Sequence, residues 1–201
     1  MAGRVEYEPA SVKSLLVEMK DTAELLIDLS YSAVLHDSDP IAAEVLALEE
    51  RMDVLQIRAR MSLLMAARNP EDAETMAPVL GITGAAEKIS DAAGDIAKVV
   101  LEDIGLPAGM EAAIPVGVET IVKAELRHES DYAGRTLAES NLETETGVRV
   151  IAVRRGGDWI LNPGPETTLR GDDVLLLRGP EAGIETVFED ATGETYEPPA
   201  K

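Results

Sequence analysis

Apolar and small residues recur at alternating steps of three and four through most of the first hundred positions. Val12, Leu16, Met19, Ala23, Leu26, Ser30 and Ala33 form one series, and Ile41, Val45, Leu48, Met52, Leu55, Ala59 and Ser62 form a second. Ala85, Ile89, Ala92, Ile96 and Val99 form a third. That period puts each series on one face of an amphipathic helix. The first break falls at "HDSDP", where Asp39 can cap a helix with Pro40 in its first turn, and the second at "ARNPEDAE". Pro70 to Leu80 reads as a short piece joining the second and third helices. With two helices of about 25 residues, the pattern predicts a long antiparallel three-helix bundle over residues 10–104.

The period changes near residue 105. "IGLPAGMEAAIP" carries the Gly and Pro punctuation of a linker. Beyond it, "TIVKAELRHE" alternates at a period of two, and "GVRVIAVRR" and "DDVLLLRG" are aliphatic runs bounded by Gly or Asp. Helix candidates lie at "AGRTLAESNL" and "PEAGIETVFED". The order strand, helix, strand, strand, strand, helix predicts a small α+β domain over residues 117–190. In the run after Gly147, Val148, Val150 and Ala152 are expected on one face and Arg149, Ile151 and Val153 on the other, leaving an apolar face for a dimer contact. The ends, "MAGRVEYEP" and "TGETYEPPAK", read as frayed.

Composition narrows the partners. The chain has 201 residues, 45% of them apolar, with a single Trp and a single Phe, so the core must be aliphatic. The net charge of −20 argues against a nucleic-acid partner, because phosphate binding needs clustered Lys and Arg. Arg outnumbers Lys 12 to 6, a balance that fits a salty cytoplasm or an ordinary acidic cytosolic protein. There are no cysteines, which removes disulfides and thiolate chemistry. With no basic start followed by an apolar run, and no apolar stretch of about 20 residues, the expected location is cytoplasmic. No phosphate loop, nucleophile elbow or H-E-x-x-H motif occurs, and His36 and His128 stand far apart, so no enzymatic activity is expected.

Three helices carry Glu-x-x-x-Asp pairs: Glu24/Asp28, Glu49/Asp53 and Glu87/Asp91, the last extended by Asp95. Residues four apart stack on one helix face, and stacked carboxylates on adjacent helices can supply hard oxygen ligands for a divalent or ferric ion. On the helical wheel Glu87, Asp91 and Asp95 lie about 100 to 180° from the Ala85/Ile89/Ala92/Ile96 stripe, which also suits a solvated face. A metal-dependent hydrolase built on these stripes is the weakest reading, since no pocket-forming motif surrounds them.

"AAEKISDAAGDIAKVV" resembles the signature helix of PhoU-type proteins. Glu87, Ile89, Asp91, Ala93, Ile96 and Ala97 match the pattern, while Lys88, Ala92 and Asp95 replace its Arg, His and Asn. The resemblance implies one three-helix repeat where two are usual, with a homodimer able to restore the missing half. It nominates Glu49, Asp53, Glu87, Asp91 and Asp95 as metal ligands. The second domain resembles the C-terminal ligand-binding domain of TrkA-type potassium-transport regulators, the RCK C-domain. Gly134-Arg135-Thr136-Leu137, Val150 to Arg155, Pro163, Pro165, Leu169, Gly171, Asp172, Leu175 and Gly179 carry that likeness. It implies domains paired across a two-fold and a small anionic effector such as cyclic di-AMP, with Arg149, Ile151, Arg154, Asn162 and Pro163 as candidate contacts. The nucleotide-binding half of those regulators is missing, so NAD or ATP sensing by that route is not expected. Together the resemblances imply a cytoplasmic regulator of a membrane transporter or channel for potassium or a divalent cation. The alternative is a phosphate-signalling adaptor whose second domain serves for dimerisation.

Overall fold

The computed structural model describes residues 10–102, 104 and 119–198. The expected linker, Ile104 apart, and the N-terminal "MAGRVEYEP" lie outside the described residues. Two compact units are present, one made of long helices and the other of a sheet with short helices. Among the described residues no helix is long and apolar enough to cross a membrane.

The first unit contains α1 (Val12–Leu35), α2 (Asp39–Ala66) and α3 (Pro70–Leu101). Short loops make successive helices antiparallel. In α1 and α2 the observed core follows the sequence periodicity. Met19, Ala23, Leu26, Ser30 and Ala33 are buried, as are all seven members of the α2 series from Ile41 to Ser62.

α3 departs from expectation in two ways. It starts at Pro70, so the piece expected to be separate is about its first three turns, and Pro78 sits inside the helix. Asn69 caps it by accepting from the Asp72 N–H at 2.8 Å. Its buried face is also not the predicted apolar stripe. Thr83, Ser90, Ala93, Gly94, Ala97 and Val100 face inward, whereas Ile82 and Ile89 are 58% and 39% exposed. The inward residues are small or short, and the end of the Glu49 side chain of α2 lies across Gly94.

The second unit contains β1 (Thr120–Glu125), α4 (Leu137–Ser140), α5 (Leu142–Thr146), β2 (Arg149–Arg155), β3 (Asp158–Leu161), β4 (Val174–Gly179) and α6 (Glu181–Thr192). The strands form one sheet in the order β1-β4-β2-β3, with every pairing antiparallel. Gly156-Gly157 makes the two-residue hairpin between β2 and β3, with Gly156 at φ 60° as such turns demand. The aliphatic core combines Leu126, Val148, Val150, Val153, Leu175 and Leu177 with Ile184, Val187 and Ala191 of α6.

The strict alternation expected along β2 fails at one residue. Val150 pairs with Leu177 and Ala152 with Leu176, so Ile151 is the extra residue of a bulge. Past it the faces exchange, and Val153, not Ala152, joins Val148 and Val150 in the core. The C-terminal tail is not frayed through Tyr196. That side chain is 9% exposed, and its ring lies 5.5 Å from that of Phe188.

Candidate functional site

One cleft within the second unit, of about 380 Å³, lies between α4–α5, the start of β2 and the loop after β3. Its helical wall includes Leu137, Asn141, Leu142, Glu143 and Thr144, and its opposite side Val148 to Val150 and Asn162 to Pro165.

Local chemistry fixes each wall. Thr136 and Glu139 form a reciprocal capping box: the Thr136 N–H donates to the Glu139 carboxylate at 2.9 Å, and the Glu139 N–H to the Thr136 hydroxyl at 3.2 Å. The Thr136 N–H and hydroxyl, both donating to that carboxylate, hold the Glu139 carboxyl below its ordinary pKa. Asn141, at φ 50°, breaks the expected single helix into α4 and α5 and lies in the cleft wall. The loop after β3 is tied to α4 through its backbone. Leu137 N–H donates to Thr167 O and Ala138 N–H to Pro165 O, both at 2.9 Å. The first-turn amides of α4 are therefore already occupied, and an anion in the cleft must be met by side chains.

The sequence candidates separate here. Arg149, Asn162 and Pro163 line the cleft together. Arg149 is exposed and makes no ion pair among the described residues. Asn162 sits at φ 46°, and its N–H donates to Ile151 O at 3.1 Å. Ile151 is 6% exposed and does not line the cleft; it shapes the loop through its backbone as the bulge residue. Arg154 is outside the cleft too, with its guanidinium 5.8 Å from the Trp159 ring centre on the paired strand.

Arg155 and Asp173, neither among the candidate contacts, lock the long loop between β3 and β4. Arg155 Nε and Nη2 donate to the two Asp173 carboxylate oxygens, each at 2.7 Å, and Nη2 also donates to Thr168 O at 2.8 Å. Asp173 is 1% exposed and accepts the Arg170 N–H at 2.8 Å. This bidentate pair raises the Arg155 pKa further above its ordinary value. The Arg-Arg and Asp-Asp doublets were the available signal, but sequence could not say which member of each turned inward.

The carboxylates of the helical unit form a neighbourhood without a coordination shell. Burial pushes the Glu49 carboxyl up, with Lys98 opposing and Asp91, Asp53 and Asp95 adding to the rise. Burial likewise raises Asp53, with Asp91, Glu87 and Glu50 adding. Glu49 lies over Gly94, while Asp91 and Asp95 are exposed and Asp95 pairs with Lys98 at 3.2 Å. Among the described residues no three His, Asp or Glu side chains converge as a metal ion requires. Glu49, Asp53, Glu87, Asp91 and Asp95, nominated as ligands by the resemblance, are not gathered as such a group within the described residues.

Three long helices followed by an antiparallel sheet in the order β1-β4-β2-β3 define a helical domain fused to an RCK C-type α+β domain. The family models agree: the PhoU domain matches residues 16–100 and the TrkA-C domain residues 121–191. The chain is a PhoU domain joined to a TrkA-C domain. Probable potassium channel protein 2 of Methanocaldococcus jannaschii is 29% identical over 62 residues, which are 31% of this chain and 18% of that protein. The RCK C domain of the potassium transport protein KtrA, solved with cyclic di-AMP, is 24% identical, with 35% of this chain and 81% of that one covered at a TM-score of 0.32. BusR of S. agalactiae, solved with its busAB-promotor DNA, is 16% identical, with 85% and 95% covered at a TM-score of 0.33.

Proposed function

We propose that this chain is a regulatory protein of potassium transport whose TrkA-C unit takes a small anionic effector in the Arg149 cleft. The carrying observation is the meeting of one unpaired guanidinium with Asn162 and Pro163 in a chain of net charge −20. On so acidic a molecule, an anion is held only where cationic and amide donors converge. Cyclic di-AMP is the first candidate effector. A homodimer and a membrane channel or transporter are the partners this reading requires, and no enzymatic step is part of it. Regulation is linkage: a ligand that binds one arrangement of two copies better shifts the population toward that arrangement.

Calorimetry on the full chain with cyclic di-AMP, other cyclic dinucleotides, ATP, inorganic phosphate and divalent ions tests this. Saturable binding of one anion, lost in Arg149→Ala, is expected. No saturable binding by any of these ligands overturns the effector. The PhoU match supports a second reading, a phosphate-signalling adaptor. Deleting the gene and comparing phosphate-limited with potassium-limited growth separates the two.

A further inference from the structure

α3 carries a second apolar stripe that its own bundle does not use. Ile82, Ala85, Ile89, Ala92, Ile96 and Val99 recur at steps of three and four, about 100° around the helix from the buried Thr83/Ser90/Ala93/Ala97 face. Ile82, Ala85, Ile89 and Ala92 are exposed, and Ile96 and Val99 are half-buried. The seam runs about 27 Å along the helix, long enough for a coiled-coil contact of several layers.

We propose that this seam docks a second copy of the same chain, with the two α3 helices antiparallel. Two features select that occupant and direction. The first is size. About a two-fold centred between Ile89 and Ala92, each Ile89 meets Ala92 of the other copy, Ala85 meets Ile96, and Ile82 meets Val99. Every layer then sets a large residue against a smaller one, whereas a parallel pair stacks Ile on Ile and Ala on Ala, alternately crowding and gapping. The second is charge. Lys88 and Asp95 flank the same edge of the seam, seven residues apart. The same two-fold places Lys88 of each copy opposite Asp95 of the other. Lys88 is exposed and has no ion pair among the described residues, while Asp95 pairs only with the exposed Lys98 on its own helix. Local complementarity is what two copies of a −20 chain need to approach. The surface needs no ligand and stands independently of the cleft.

The absence of cysteine makes the test direct. Ala92→Cys, near the proposed axis, and Glu50→Cys, exposed on α2, are each treated as full-length protein with a short bismaleimide. Covalent dimer from Ala92→Cys is expected to exceed that from Glu50→Cys about tenfold, since only the former is held close to its copy. Adding Lys88→Asp sets like charges opposite one another and lowers the yield by about threefold or more; adding Asp95→Lys as well restores it. Circular dichroism confirms that each variant keeps its helix content, and Asp95→Lys alone serves as the reciprocal single reversal. Equal cross-linking at residues 92 and 50 overturns the proposal. So does a loss on charge reversal that the double swap leaves unrepaired, which would assign the seam to another partner.

Discussion

The two units differ in how fully they satisfy their buried polar groups. In the TrkA-C unit, buried Ser130, Ser140 and Asp173 all have partners: the Ser130 hydroxyl accepts the Tyr132 N–H, the Ser140 hydroxyl donates to Leu137 O, and Asp173 is held by Arg155. In the helical unit, the hydroxyls of Ser32, Ser62 and Ser90 and the Gln56 amide nitrogen are buried without a partner. That unit also leaves Ile82, Leu64 and Met65 largely exposed. Among the described residues the sheet unit's core leaves the Tyr196 hydroxyl without a partner, while the bundle leaves several polar atoms unpaired beside the bonded Thr22, Ser30 and Thr83 hydroxyls, with apolar residues outside. Orphaned polar groups and wet apolar surface both cost stability. The bundle is thus the unit whose stability should respond most to a partner.

The largest expected effect probes the satisfied side. Asp173→Ala strands the partly buried Arg155 and should cost about 3–5 kcal/mol in the TrkA-C unit alone. Fluorescence of Trp159, the single Trp, reports that unit during urea unfolding, while helical ellipticity follows the bundle. Loss of both transitions together would break the comparison. Two helical glycines sharpen it next. A Cβ at Gly183 would meet the Thr146 carbonyl oxygen at 2.2 Å, so Gly183→Ala should destabilise α6 packing by about 1–3 kcal/mol. At Gly94 the obstacle is the end of the flexible Glu49 side chain, which can swing away, so Gly94→Ala should stabilise the bundle by up to about 1 kcal/mol.

The units should also answer pH in opposite directions. Glu49 and Asp53 have raised carboxyl pKa values, so the folded bundle takes up protons more readily than the unfolded chain. Its melting temperature should rise as pH falls from neutral toward about pH 4–5, where unfolded carboxylates titrate, and Glu49→Gln with Asp53→Asn should flatten that rise. Glu139 is lowered, so its contribution is present above the ordinary glutamate range and is lost as pH falls through the depressed value. Melts monitored separately for each unit check both signs. The smallest effect on stability belongs to Arg149→Ala, which should leave the Trp159 transition within about 0.5 kcal/mol of the parent while abolishing effector binding.

Much of this molecule was legible in its sequence. Periods of 3.6 and 2 separate the two units, because a helix and a half-buried strand impose different spacings on apolar residues. The buried faces of α1 and α2 follow, since their large side chains coincide with the core. The RCK C-domain resemblance nominates Arg149, Asn162 and Pro163, which share one cleft, together with Ile151 and Arg154, which do not line it.

The tertiary structure alone decided the rest. α3 turned its bulkier stripe outward and set Thr83, Ser90, Ala93, Gly94 and Ala97 inward, a choice that apolar spacing along one helix does not register. Ile151 became a bulge because the register between β2 and β4 slipped by one, a fact that belongs to two strands and not to either. Asp173 was chosen over Asp172, and Arg155 over Arg154, by the direction each residue faces once that slipped sheet has formed. Local pattern sets which elements exist; which side chains meet is settled only when distant segments pack.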